Sequence, residues 1–197
     1  MALRTFVKVS GINNLSDARY CAGMEVNELG FNIEPNHENF IDPQKFKEMT
    51  DWLSGVEFVG EITSADTNIA EVVSEYELDA LLINHINQID EALKTGLKVS
   101  YNAPTLEEAK SAWETANQKL DYIIMSNQNH DVEELKSLMC PVVITDGFNA
   151  ENISECLNNI SPKGISLKGG DEIRPGYKDF DELADILELL EIDDMTE

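Results

Sequence analysis

The stretch PVVITDGFNAENISECLNNISPKGISLKGG, residues 141–170, reads as one complete β–α–β unit. PVVITDG is a strand, NAENISECLNNI its helix and GISLKGG the next strand. The strands are near-continuous apolar runs, as expected of parallel strands covered by helices. The same alternation extends in both directions. Upstream lie KVSYNA (98–103), then TLEEAKSAWETANQ, where Thr105 and Glu108 are spaced as a capping box, then YIIMSN (122–127) and the helix DVEELKSLM. Earlier still come TFVKVS (5–10), ELGFNI (28–33), VEFVGEI (56–62) and ALLIN (80–84). Their helices are LSDARYCAGM, DPQKFKEMTDWL, NIAEVVSEY and INQIDEALKTG. Asn14 or Ser16 can cap the first of these, Asp42 with Pro43 opens the second, and Gly96 closes the fourth. DFDELADILELLE is the last helix.

Eight β–α units favour an α/β fold, a small single-domain (β/α)8 TIM barrel spanning residues 1–197. The runner-up is an open doubly wound sheet, which usually has fewer units. The acidic tail EIDDMTE, from about residue 191, reads as a frayed end.

Composition narrows the function classes. The chain has 197 residues, 42% hydrophobic and 26% charged, ordinary for a globular protein. Lys and Arg number 14 against 38 Asp and Glu, a formal net charge of -24. That balance argues against nucleic acid and against anionic lipid. A small phosphorylated ligand stays compatible, because a local nest of backbone N–H groups outweighs distant charge. No apolar run is long enough to span a membrane, and residues 1–11 lack a signal-peptide layout. Cys21, Cys140 and Cys156 are odd in number and form no C-x-x-C, which reads as reduced thiols in a cytoplasmic protein. His37, His85 and His130 are far apart, so no metal site is expected.

In a barrel the site lies where strands end and loops begin. Those positions hold Ser10, Gly11, Asn32, Glu34, Glu61, Thr63, Asn84, His85, Tyr101, Asn102, Ser126, Asn127, Asp146, Gly147, Lys168, Gly169 and Gly170. Only Glu34, Glu61, His85 and Asp146 are suited to acid–base work near neutral pH, each needing a shifted pKa. The loops after strands seven and eight are the usual phosphate site of this architecture. Here Gly147, Gly169 and Gly170 admit an anion to backbone N–H groups, Lys168 adds charge, and the helix opening near Asn149 aims its N-terminus at the same place. Asp146 and Asp171 oppose an anion. The plainer reading is that these glycines only serve tight turns. His85 reads as a helix start, Cys21 and Cys140 as packing residues, Trp52 and Trp113 as cover for the barrel exterior, and Glu34, before Pro35, as a solvated loop residue. Ser10 and Ser126 have no evident base partner.

At this point the residues carry a pattern. VKVSGINNLSDARYCAGMEVNELGF resembles the opening of phosphoribosylanthranilate isomerases, K-I-C-G-I-T-N-x-x-D-A followed by L-G-F. DGFNAENISECLNNISPKGISLKGGDEIRPGYKD is similar to the family's G-G-L-N-P-E-N-V … G-V-D-V-S-S-G-V-E … P-G-x-K-D. The middle matches by strand–helix order only. The resemblance implies a monomeric or homodimeric (β/α)8 barrel of tryptophan biosynthesis. It implies an Amadori rearrangement of N-(5-phosphoribosyl)anthranilate, with no metal or organic cofactor.

The resemblance also marks departures. Ser10 stands at the family's general base, a cysteine, and Ser126 at its general acid, an aspartate. A serine hydroxyl is a far weaker base than a thiolate. SNQNHDVEEL runs from that position straight into the helix, without the family's glycine-rich loop. Asn39 in PNHENFI stands where the resemblance places an arginine for the anthranilate carboxylate. LINH, with Asn84, replaces Q-L-H-G, and Ser166 replaces the strand-eight aspartate. Lys8, Gly11, Asp17, Gly30, Pro43, Gly147, Asn149, Asn152, Gly170, Pro175, Gly176 and Asp179 keep the pattern.

Three functions follow as expectations. The first is a barrel that has lost the Amadori reaction and keeps a partial phosphate site, with Gly147, Lys168, Gly169 and Gly170 around the anion. Lys8, Asn32, Glu34, Asn39, Glu61, Asn84, Asp146 and Ser166 line the rest of that pocket. The second is an active isomerase using substitutes such as Glu34 or Glu61. The third is a different reaction using Glu34, Glu61, His85 or Lys168.

Overall fold

A computed structural model describes residues 2–128, 130–168, 172–174, 177–178 and 181–192, with side chains up to 128, over 130–168 and over 183–192. Eight parallel strands form a closed barrel in chain order. They are β1 (Phe6–Ser10), β2 (Glu28–Asn32), β3 (Glu57–Ile62), β4 (Ala80–Ile83), β5 (Lys98–Asn102), β6 (Ile123–Ser126), β7 (Val142–Thr145) and β8 (Gly164–Lys168). Closure is between β1 and β8, with Phe6 opposite Gly164 and Ser10 opposite Lys168. The doubly wound alternative is thereby excluded, since an open sheet would leave β1 and β8 unpaired.

A helix follows every strand: α1 (Leu15–Gly23), α2 (Pro43–Thr50), α3 (Ile69–Val73), α4 (Ile89–Lys94), α5 (Leu106–Thr115), α6 (Val132–Lys136), α7 (Ile153–Ile160) and α8 (Asp181–Leu190). Asn14, not Ser16, caps α1: its Oδ1 accepts from Asp17 N at 3.0 Å. Asp42 Oδ1 accepts from Lys45 N at 3.0 Å, with Pro43 as the first residue of α2. Thr105 Oγ1 accepts from Glu108 N at 3.2 Å, but the reciprocal half of the expected capping box is absent. The Glu108 carboxylate accepts from the Tyr101 hydroxyl instead, because that buried phenol has greater need of an acceptor than an exposed N-cap amide.

Alternation along the strands sorts side chains into two layers. Val7, Val9, Leu29, Phe31, Ile33, Leu81, Ile83 and Ile144 join the helices in the larger apolar core. The other face carries a smaller cluster of Val59, Ala80, Leu82, Tyr122, Ile124 and Val143, packed with Phe6. Buried polar residues share that inward face: Lys8, Glu28, Glu61, Ser100 and Ser166. A barrel interior is normally filled by branched apolar side chains.

Three expectations need correction. Trp52 does not cover the barrel: it lies beyond α2 and is 72% exposed, whereas Trp113 packs against the core. Glu191–Ile192 is not frayed but pairs antiparallel with Ala2–Leu3; residues 193–197 lie outside the described residues. The connection after β8 is not simply a loop, since Glu172–Arg174 and Tyr177–Lys178 pair antiparallel.

Candidate functional site

At the C-terminal ends of the strands lies a cavity of about 410 Å³. Its polar lining is Ser10 from β1, Asn102 from β5, Ser126 from β6, Thr145 and Asp146 at the end of β7, and Ser166 and Lys168 from β8. Leu82, Ala103, Pro104, Ile124 and Leu167 form the apolar wall. Thus Ser10, Ser126, Asp146, Ser166 and Lys168, far apart in sequence, face one space. The sequence places Asn102 as a strand-end residue of the site, whereas it does not pick out Thr145 and the apolar wall. Strand alternation carried that signal, because Leu82 and Ile124 are inward-facing positions.

Lys8 lies beneath the cavity, fully buried, and its ammonium pairs with the Glu61 carboxylate. Lys8 Nζ also donates to Ser10 Oγ at 2.6 Å. Glu61 takes a further hydrogen bond from Gly11 N at 3.2 Å. Burial alone would raise the Glu61 carboxyl; the Lys8 charge and these hydrogen bonds win and hold its pKa below the usual carboxylate value. Gly30 on the neighbouring strand makes room, since a Cβ there would lie 2.0 Å from Glu61 Oε1. On the same inward face the Tyr122 hydroxyl donates to Glu28 Oε2 at 2.5 Å. Burial pushes the Glu28 carboxyl up, against the lowering effect of that hydrogen bond and of Lys8.

Glu34 is neither a solvated loop residue nor an available acid or base. It is buried, and its carboxylate accepts from Thr63 N (2.7 Å), Thr63 Oγ1 (2.6 Å), Ser64 N (2.8 Å) and Thr67 Oγ1 (2.6 Å). Burial raises its pKa, but these hydrogen bonds outweigh burial and hold it below the usual value. The carboxylate is the hub of the loop after β3. Asn32 Oδ1 accepts from Glu34 N at 3.0 Å and belongs to the same cluster.

Other expected pocket residues are not among those that line the cavity. Asn39 is tied into its own loop, its N–H donating to His37 Nδ1 at 3.1 Å. Asn84 enters as a backbone acceptor, its carbonyl 3.4 Å from the Tyr101 hydroxyl. His85 precedes a single helical turn, as expected, and its Nε2 lies 2.9 Å from Thr63 O. Cys21 and Cys140 are packing residues; burial pushes their thiols up to about 12 and about 11.

The anion cradle is also rearranged. Asp146 and Gly147 are both left-handed, with φ 57° and 70°, which ends β7 two residues earlier than its sequence suggests. The Gly147 carbonyl takes Asn127 Nδ2 and Asn152 Nδ2, each at 3.4 Å. The amides of the turn before α7 are spoken for: Asn149 N donates to Asn152 Oδ1 at 2.7 Å, and Glu151 N to Asn149 Oδ1 at 2.9 Å. These amides of the turn are bonded within it. Asx side chains compete successfully for N-terminal amides. Gly169, Gly170 and Asp171 lie outside the described residues, as do Pro175, Gly176 and Asp179. Among the described residues, no group of three or more His, Cys, Asp or Glu is placed to hold a metal ion, and no helix is long and apolar enough to cross a membrane.

Comparison with known proteins finds similar sequences and the same fold. The chain is 26% identical to an N-(5'-phosphoribosyl)anthranilate isomerase of Synechococcus sp. (strain JA-2-3B'a(2-13)), over 95% of this chain and 91% of that protein. It is 26% identical to the enzyme of that name from Maridesulfovibrio salexigens, over 90% and 94%. Over nearly its whole length the chain is thus similar in sequence to N-(5'-phosphoribosyl)anthranilate isomerases. No family model matches it. The fold agrees with phosphoribosyl anthranilate isomerase of Thermotoga maritima, at a TM-score of 0.75 and 20% identity, covering 93% of this chain and 97% of that one. It agrees equally with a phosphoribosyl anthranilate isomerase solved in complex with reduced 1-(o-carboxyphenylamino)-1-deoxyribulose 5-phosphate, at a TM-score of 0.74, 21% identity and the same coverage.

Proposed function

We propose that this chain is a divergent relative of the phosphoribosylanthranilate isomerases that binds a phosphorylated small molecule at the barrel mouth and does not carry out the Amadori isomerisation. What carries the reading is the joint placement of Ser10 and Ser126 on one cavity with Lys168. The resemblance puts the proton-abstracting and proton-donating groups at those two serines. An alcohol is a poor general base and a poor general acid near neutral pH, and each such group is typically worth about 10²–10⁴-fold in rate. Glu34 does not substitute, since its carboxylate is saturated by the loop after β3. Glu61 is held ionised under the floor by Lys8. Lys168 supplies the cation for a phosphate.

A second reading, an active isomerase, draws on Asp146, a carboxylate on the same cavity as Ser10. One assay separates the two. Purified chain is incubated with N-(5'-phosphoribosyl)anthranilate and its conversion to the rearranged product followed by mass-resolved chromatography. The expected result is no turnover above the uncatalysed rate, together with binding of inorganic phosphate that Lys168→Ala weakens. Turnover at a rate expected of a biosynthetic catalyst overturns the proposal.

A further inference from the structure

We infer that the mouth selects a phosphorylated polyol carrying no second anionic group, and so discriminates against ligands that bear both a phosphate and a carboxylate. This rests on the reading of the mouth as an anion site and goes further, to the class of ligand.

Charge is the first argument. Among the described residues Lys168 is the sole cation lining the cavity. Lys8 is sealed beneath the floor and neutralised by Glu61, so the floor attracts no anion. Asp146 brings a carboxylate to the same space. A ligand with one phosphate can set it on Lys168. A second anionic group shares the cavity with Asp146, where like charges repel.

Hydrogen-bond direction is the second. Ser10 Oγ accepts from Lys8 Nζ at 2.6 Å, which leaves it a lone pair and an O–H for the cavity. Asp146, when ionised, is acceptor-only. A hydroxyl donates to such groups; a carboxylate does not. Ser126 Oγ already accepts from Gln128 N at 3.3 Å, which leaves its O–H to donate, and Asn102 and Ser166 both donate and accept. Leu82, Ile124 and Leu167 give a surface for the C–H faces of a sugar. The volume of about 410 Å³ is in the range of small-ligand sites.

The test is calorimetric titration of the full chain with three probes: inorganic phosphate, D-ribose 5-phosphate, and reduced 1-(o-carboxyphenylamino)-1-deoxyribulose 5-phosphate. Ribose 5-phosphate is expected to bind at least about tenfold more tightly than either of the others. Asp146→Asn, a residue that tolerates the left-handed backbone at this position, is expected to improve the carboxylated probe about tenfold and to narrow the gap. Ser166→Ala is expected to weaken ribose 5-phosphate while leaving inorganic phosphate unchanged. Unfolding midpoints confirm that both variants are folded. Equal or tighter binding of the carboxylated probe by the unaltered chain, or an unchanged ratio in Asp146→Asn, overturns the inference. Phosphate binding without preference for ribose 5-phosphate overturns this inference alone. Failure of all three probes to bind overturns the anion-site reading beneath it.

Discussion

The Lys8 ammonium is paired with the Glu61 carboxylate inside the barrel, under the mouth, and no part of the Lys8 side chain reaches solvent. Fifty-three residues separate the two in sequence. Removing one partner of such a pair strands a charge in a poorly solvated space, which typically costs about 3–5 kcal/mol. Glu61→Gln is expected to lose stability on that scale in urea unfolding. Replacing both partners by apolar residues (Lys8→Met with Glu61→Leu) is expected to recover most of the loss. A single-variant cost below about 1 kcal/mol would show that the pair is not buried as described.

Acid stability follows from the same carboxylate and from Glu34. Both have folded pKa values below the unfolded value. The stability they contribute is present above the unfolded pKa and is lost as pH falls through the folded one. Denaturation midpoints are therefore expected to drop on acidification below the ordinary carboxylate range, and Glu61→Gln is expected to flatten that drop.

Glu28 behaves oppositely, because burial raises its folded pKa. Its contribution is present below the unfolded pKa and is lost as pH rises through the folded one. Glu28→Gln keeps an acceptor for the Tyr122 hydroxyl and removes that penalty. At neutral pH it is expected to cost less stability than Glu61→Gln, or to stabilise. A loss as large as that of Glu61→Gln would contradict the shift.

The loop after β3 depends on one carboxylate. Glu34→Ala leaves the amides of Thr63 and Ser64 and the hydroxyls of Thr63 and Thr67 without their acceptor. Each hydrogen bond lost from these partly exposed donors typically costs about 0.5–1.5 kcal/mol. The expected outcome is a loss of at least that size in urea unfolding, with faster proteolytic cleavage within residues 63–68 as the local readout.

Thiol labelling offers a further check. The Cys21 thiol is pushed up to about 12 and the Cys140 thiol to about 11, in both cases by burial. Reactivity follows the thiolate. At mildly alkaline pH the folded chain is expected to resist iodoacetamide at both cysteines, and to be labelled at both once unfolded in urea. Rapid labelling of Cys21 in the folded chain would place it outside the core.

The order of strands and helices was legible along the chain because each is a local preference: apolar runs at the strands, Asp42-Pro43 and Thr105 at helix starts, Gly96 at a helix end. Strand ends, and so the pool of mouth residues, were legible for the same reason, since a barrel exposes the carboxyl ends of its strands. What closure alone decided was which of those residues meet. Glu34 reads as a loop carboxylate until Thr63 and Thr67, some thirty residues on, are folded onto it. Asn39 sits at a suggestive position yet bonds within its own loop, and the Gly147 carbonyl is met by Asn127 from the end of another strand. Lys8, Ser10 and Glu61 become one group only because register sets Lys8 opposite Glu28, and Glu28 opposite Glu57, around the ring. Backbone preference is a property of short stretches, whereas burial, charge pairing and hydrogen-bond direction depend on what the far side of the barrel brings near.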